Sequence, residues 1–317
     1  MPPISPKSNP TTLPKEHFFV IMSGLISGTI IFSGQIFANL GLSLFEVSTL
    51  PFVGAVVMLL PFVLFNKKHS FITANLPLLL LYGFIFALCS LTQFAGLFFG
   101  VPVAVVVLLL YTQPFWTILT SVIILKEKVT SREIISVLLV LLGVFILLNP
   151  DNVSTLGQPL GLAIAILGGV ALSGWVSVGS LLSKKGNDPV NSFFTGETLL
   201  LFFLILFYPI LQSVTQDPSI IHFTFVWPLK IWLFLIIFSL VTQIVNHLFF
   251  LYGVKKVSAV KAGVIMLLEP VSGTLLAAIF LHQPITLNII IGGLLILVAN
   301  YLVIAQKRKE TQVTRNS

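Results

Sequence analysis

Ten stretches of the chain are apolar over membrane-spanning length, at about 18–40, 45–65, 76–98, 101–125, 133–149, 158–182, 190–212, 231–252, 257–281 and 287–305. Apolar residues are continuous within each stretch, whereas a strand of a membrane barrel would alternate, so the pattern predicts helices. The connections are short. Gly100–Pro102 separates the third and fourth stretches, and Gly253–Lys256 separates the eighth and ninth. Residues 1–17 are Pro- and Ser-rich without periodicity and read as a disordered cytoplasmic tail; residues 306–317 read as a basic cytoplasmic tail.

The pattern occurs twice. Moved back by 156 positions, Val257–Pro284 lies on Val101–Lys128, with Pro270 on Pro114, Glu269 on Gln113, Leu275 on Leu119 and Leu281 on Leu125. Phe250 on Phe94, Thr286 on Thr130 and Ile291 on Ile135 extend the register without a gap. This is the signature of an internal duplication. Spans one and two match six and seven more loosely, anchored by Ser33-Gly34 over Ser173-Gly174. Two copies of five spans must sit in opposite orientations, because five is odd. The expected fold is an all-α membrane protein of ten transmembrane helices, arranged as two inverted five-helix repeats over 18–150 and 157–305.

Charge placement sets the orientation. Of the 17 basic residues, all but Lys230 and Lys261 fall in one alternating set of tails and loops, which includes Lys67, Lys126, Lys128, Lys184, Lys255 and Lys307. The positive-inside rule puts that set, and both termini, in the cytoplasm.

Composition agrees with the pattern: 56% of residues are hydrophobic, 9% are charged, and the mean hydropathy is +1.07. The net charge of +7 is accounted for by the loops and calls for no nucleic-acid partner. The single cysteine, Cys89, excludes an intrachain disulfide framework and reads as a small core residue.

Candidate chemistry is what the apolar pattern leaves over. A carboxylate at bilayer depth costs roughly 2.5–3.5 kcal/mol on insertion scales. Glu269 is such a residue, and its repeat mate is Gln113. Inverted-repeat transporters bind substrate at the midplane between their halves, often at interrupted helices. Glu269 reads equally as a protonated, hydrogen-bonded structural residue. Pro114 and Pro270 are expected to kink their helices. Glu197 is a second intramembrane acid. Gln243, Asn246 and His247 share one face at i, i+3, i+4 spacing, either as interhelical ties or as ligand contacts. Gln35 with Asn39 and Gln93 with Thr92 repeat that pattern. Tyr111, Trp116 and Trp175 are candidate pocket walls, although aromatics on bundle helices more often pack. Lys261 is about 12 Å along the helix from Glu269, too far for contact. No Walker loop, HExxH sequence or ligand-spaced His/Cys pair occurs, so no cofactor and no metal are expected.

Two inverted five-helix halves, each with a mid-helix proline in its fourth span, resemble the drug/metabolite transporter superfamily, with the EamA-type branch as the nearest pattern. The resemblance rests on Leu268-Glu269-Pro270-Val271, on Gln113-Pro114-Phe115 and on Leu125–Thr130. Phe94-Ala95-Gly96-Leu97 and Phe250-Leu251-Tyr252-Gly253 add the span endings. There are two departures: Glu127 closes the first fourth-type helix but Gln283 stands at the second, and Phe52-Val53-Gly54, early in span two, lacks the arginine that relatives often carry there.

The resemblance implies a secondary transporter in a bacterial or archaeal cytoplasmic membrane. It would move an amino acid or amphipathic amine by alternating access, with export the favoured direction and proton coupling through Glu269 an option. The substrate-binding candidates are Glu269, Gln113, Tyr111, Trp175, Gln243, Asn246, Gln93, Gln35 and Glu197. A non-transporting receptor or scaffold is the main alternative; an intramembrane enzyme ranks last for want of a catalytic pair. The partners expected are a small molecule and the bilayer. Monomer and homodimer remain open.

Overall fold

The computed structural model describes residues 14–65, 75–99, 101, 103–148, 159–280 and 285–304. Among the described residues every regular element is helical. The helices are α1 (Lys15–Asn39), α2 (Leu44–Val47), α3 (Leu50–Phe65), α4 (Leu76–Phe98), α5 (Val103–Leu110), α6 (Gln113–Ile123), α7 (Ser131–Leu148) and α8 (Pro159–Lys184). They continue with α9 (Pro189–Val214), α10 (Pro218–Ile221), α11 (Leu229–Phe238), a π-helical segment (Ser239–Val245), α12 (Asn246–Gly253), α13 (Ala259–Met266), α14 (Glu269–Phe280) and α15 (Leu287–Ile304). Eight of the helical stretches are long and apolar enough to cross a membrane. Large apolar side chains stay exposed around the bundle, among them Val57, Phe65, Ile123, Leu138, Ile205, Ile237, Ile279 and Tyr301. In water that surface would be unfavourable; against lipid it is the solvated face.

The 156-residue register extends to the backbone. Helices α5 and α7 map onto α13 and α15 residue for residue, and α6 begins where α14 does. Packing partners exchange in the same way. Helix α4 lies on α8 and α9, while the equivalent π segment and α12 lie on α1 and α3. Helices α5 and α6 pack on α8; α13 and α14 pack on α1. Helix α7 meets α15, a contact that maps onto itself, and α6 meets α13.

Glycines set the closest of these crossings. A Cβ on Gly169 would come within 2.7 Å of the Leu109 carbonyl, and one on Gly24 within 2.7 Å of the Ile265 carbonyl. Leu109 and Ile265 are repeat mates, so each broken helix presses its last turn onto a glycine of the other half. Only a residue without a side chain permits that approach.

Two expectations change. The fourth and ninth spans were expected as single helices bent at a mid-helix proline. Each is two helices joined by a two-residue turn, Tyr111–Thr112 and Leu267–Leu268. The proline falls in the first turn of the second piece, where its missing N–H leaves no hydrogen bond broken. The amino-terminal tail is also shorter than expected, because α1 starts at Lys15 and Glu16 pairs with Lys256 at 2.5 Å. That contact holds the Glu16 carboxyl below its ordinary value. Residues 1–13 and 305–317 lie outside the described residues, as do Lys67, Lys68 and Gln283.

Candidate functional site

Between the halves runs a narrow cavity of about 50 Å³. It is lined by Ile30, Val47 and Phe52, by Phe86, Cys89, Ser90 and Gln93 of α4, and by Phe238, Gln243 and His247 from the second half. At about 15 Å³ of such volume per water, the space holds three or so waters. Pockets that enclose a metabolite are several-fold larger, so the cavity is contracted.

The π segment shapes one wall. Ser239 gives its hydroxyl hydrogen to the Leu235 carbonyl at 2.7 Å, and Thr242 does the same to Phe238 at 2.6 Å. Such back-bonding loosens the helical ladder. Gly54 makes room for the widened turn, since a Cβ there would meet the Ser239 hydroxyl at 2.5 Å. The wider turn places Gln243 and His247 together on the cavity, while Asn246 points elsewhere.

Asn246 is a tie between helices. Its carbonyl oxygen accepts from the Ser23 hydroxyl at 2.6 Å and its amide donates to Ser27 at 3.0 Å, joining α12 to α1. Gln113 is also tied: its amide donates to the Thr117 hydroxyl at 2.6 Å, and its nitrogen lies against Gly263. Thr117 in turn donates to Ser173 at 3.2 Å. Gln93 is half-buried and borders the cavity. Gln35 lies in α1, with its side chain outside the described residues.

The two intramembrane acids lie one layer behind the cavity wall. Glu269 is the first residue of α14, beside the break, buried next to Tyr111 and within electrostatic reach of Cys89. The Tyr111 hydroxyl and the Glu269 carboxyl are near enough to interact but short of hydrogen-bond geometry, and Tyr111 Oη and Glu269 Oε1 are both unpartnered. Glu197 meets His247 Nδ1 through Oε1 at 3.1 Å, and its Oε2 has no partner. Trp175 borders the cavity's aromatic surround: it stacks on Phe250 at 4.2 Å and stands 5.3 Å from the His247 ring.

Each end of the bundle is held by a carboxylate cluster. At the lysine-rich end Glu127 pairs with Lys184 and accepts from the backbone N–H of Ala259 at 3.3 Å, joining α6, α8 and the start of α13. Ser258 donates to Glu133 at 3.3 Å. At the other end Glu46, fully buried, accepts from the backbone N–H of Ser43 at 2.8 Å, the backbone N–H of Thr224 at 3.0 Å and the Trp227 indole at 3.1 Å. The Ser43 hydroxyl donates to the His222 carbonyl at 2.5 Å. Sequence reading had passed over Glu46. The signal was present as Ser43-Leu44-Phe45-Glu46, the S-x-x-E capping box, and both of its reciprocal bonds are formed.

The model of the EamA-like transporter family matches this chain twice, over residues 14–149 and 159–305. The chain belongs to the EamA-like transporter family. It is therefore an integral, multi-pass membrane protein of a transporter family. A Clostridium kluyveri protein described as an uncharacterised transporter is 26% identical over 95% of this chain and 96% of its own. An Archaeoglobus fulgidus protein with the same description is 27% identical over 61% of this chain and 65% of its own. A solved crystal structure matches the fold with a TM-score of 0.71, covering 93% of this chain and 98% of that one at 18% identity.

Proposed function

We propose that this family member is a secondary transporter that moves an amino acid or an amphipathic amine by alternating access, with export the favoured direction. The carrying observation is the contracted, largely apolar cavity between two repeat-related sets of helices, with Gln93, Gln243 and His247 on its wall and a carboxylate cluster holding the bundle at each end. A receptor or scaffold has no need of interhelical latches at both ends of a cavity.

On this reading α1 and α7 join the eight apolar stretches to make ten spans, in two inverted halves, 18–150 and 157–305. The charge partition puts both termini in the cytoplasm of a bacterial or archaeal cell. Gln93 and Gln243 face the substrate directly. Glu269 and Tyr111, unpartnered behind Cys89, come into contact with it when the α13–α14 break shifts. Asn246 holds α12 to α1, and Gln113 braces Thr117, which bonds to Ser173 of α8. Opening one end while the other stays latched gives the two states that alternating access requires.

Flux into proteoliposomes, tested with a panel of labelled amino acids and amines, checks the reading. Counterflow of at least one compound is expected. If no panel member is transported while the reconstituted protein remains folded, the transporter reading fails.

A further inference from the structure

We propose that Glu197 and His247 form a proton-binding dyad at the cavity wall, whose proton is exchanged for an organic cation that enters the cavity. This rests on the transporter reading and assigns its coupling ion to a place.

The geometry separates this pair from the other buried polar groups. Asn246 is satisfied by α1 and Gln113 by Thr117 of its own helix, and Glu269 lies behind Cys89. His247 is both a wall residue of the cavity and the hydrogen-bond partner of a fully buried acid. The pair therefore connects a site without solvent to one with room for water. Glu197 keeps one oxygen, Oε2, without a partner. A permanent structural ion pair would be expected to satisfy both oxygens, whereas a carboxyl group that gains and loses a proton needs a site for it.

The surroundings limit the charge states. Helix α4 faces the pair with Tyr82 and Cys89, α8 with Trp175, and α9 itself with Phe193. Helix α3 has no titratable residue, and α1 brings the Ser23–Ser27 side, its Lys15, Glu16 and His17 lying in its first turn. The one basic residue of α8 is Lys184, at its last position and paired with Glu127. No lysine or arginine among the described residues is ion-paired with Glu197. With one proton the pair is neutral overall, either as carboxyl and imidazole or as carboxylate and imidazolium. Such a coupled pair titrates as a unit. A second proton, or none, leaves a net charge buried in low dielectric, which is strongly unfavourable.

A cation beside His247 changes that balance. It supplies the positive charge that carboxylate and neutral imidazole lack, so the proton departs through the cavity waters as the cation arrives. No covalent bond other than the proton's own is made or broken, and charge is conserved one for one. Phe52, Phe86 and Phe238 present the aromatic surface that suits such a cation. Proton on the dyad and cation in the cavity exclude one another, which makes the coupling an exchange rather than a symport.

The test needs no knowledge of the substrate. Full-length protein in liposomes is stepped in pH while infrared difference spectra are recorded. The expected result is a carboxyl C=O band that disappears in Glu197→Gln and shifts in Glu197→Asp and His247→Gln. A band unchanged in folded His247→Gln and Glu197→Gln overturns the dyad. If Glu197→Gln does not fold, the shift in His247→Gln decides alone. A second measurement follows phenyltrimethylammonium, a permanent cation, into acid-loaded proteoliposomes. Wild-type accumulation that both variants lose supports the exchange, and accumulation unaffected by them overturns it. Absence of any wild-type flux beside an intact Glu197 band overturns the cation exchange and leaves the proton site standing; the panel of amino acids and amines decides the transport reading separately. A Glu197-independent band overturns the dyad whatever the flux.

Discussion

Replacing Glu46 by alanine should open the end of the bundle it latches, and the effect can be sized from its contacts. The carboxylate accepts three hydrogen bonds. One, from Ser43, is local to its own capping box; those from Thr224 and Trp227 cross from the first half to the loop of the second. Hydrogen bonds to charged groups are worth about 1.5–3 kcal/mol each. Thr224 and Trp227 are partly exposed and can bond to water once released, and the Ser43–His222 contact survives the substitution, so the lower value applies. Two bonds at that value total about 3 kcal/mol, which shifts the closed-to-open ratio roughly 150-fold. Cys89 is the sole cysteine, is buried and lines the cavity, so it reports opening without any added label site. A membrane-impermeant thiosulfonate should modify it at a rate proportional to the open fraction when opening and closing are fast. Glu46→Ala should be labelled about two orders of magnitude faster than wild type. Glu46→Gln should fall between them, because an amide keeps one accepting oxygen. A labelling rate in Glu46→Ala within twofold of wild type, in a protein that still melts cooperatively, refutes the latch.

Three further outcomes follow from the same structure. Pro114→Ala and Pro270→Ala allow the helix to continue across Tyr111–Thr112 or Leu267–Leu268; melting temperature should hold or rise while proteoliposome flux falls, and full flux in both would count against a mechanical role for the breaks. Gly24→Val and Gly169→Val force branched side chains onto the Ile265 and Leu109 carbonyls; each should cost about 1–3 kcal/mol and lower the melting temperature, with little change expected for Gly293→Ala, where nothing lies within contact distance. Glu269→Gln preserves size at a site whose Oε1 has no partner, so melting should be nearly unchanged while flux is lost; normal flux would make Glu269 structural.

The register of the two halves could be read from residues because a duplication leaves the same apolar rhythm in both copies. It carried through to helix ends, with α7 and α15 bounded 156 positions apart. The place of the breaks was less clear. A mid-span proline fits a kink in one helix as well as the first turn of a new one, and the choice depends on whether neighbours approach the turn. Here Gly169 and its partner Gly24 do, and no local rule reads that. The polar face of α12 misled for a different reason. The i, i+3, i+4 spacing assumes 3.6 residues per turn, but Gln243 lies in a π segment, whose turns are wider. Gln243 and His247 stay together and Asn246 turns to α1. Glu197 and Glu269 were visible as acids in apolar runs, yet the polar neighbours they face come from α12 and from the α5–α6 turn. Only the assembled bundle brings these together.

The backbone of the two halves is more alike than their polar chemistry, and the difference has a direction. Glu269 faces its repeat mate Gln113 in kind but not in charge. His247 falls opposite Leu91, Gln243 opposite Ala87, and Gln93 opposite Phe249. A lining that obeyed the pseudo-two-fold would offer a substrate two equivalent poses, one per half, and would lower the barrier to neither. Loss of symmetry in side chains alone leaves the symmetric frame free to rock between openings related by the pseudo-two-fold. It also fixes a single pose and places the proton site on one side of it. Restoring symmetry tests this division of labour. Leu91→His adds a second imidazole without the acid that Glu197 supplies. Such a protein should retain its melting behaviour only if the new ring finds water in the cavity. It should gain no second proton band, because the acid, and not the imidazole, makes the site.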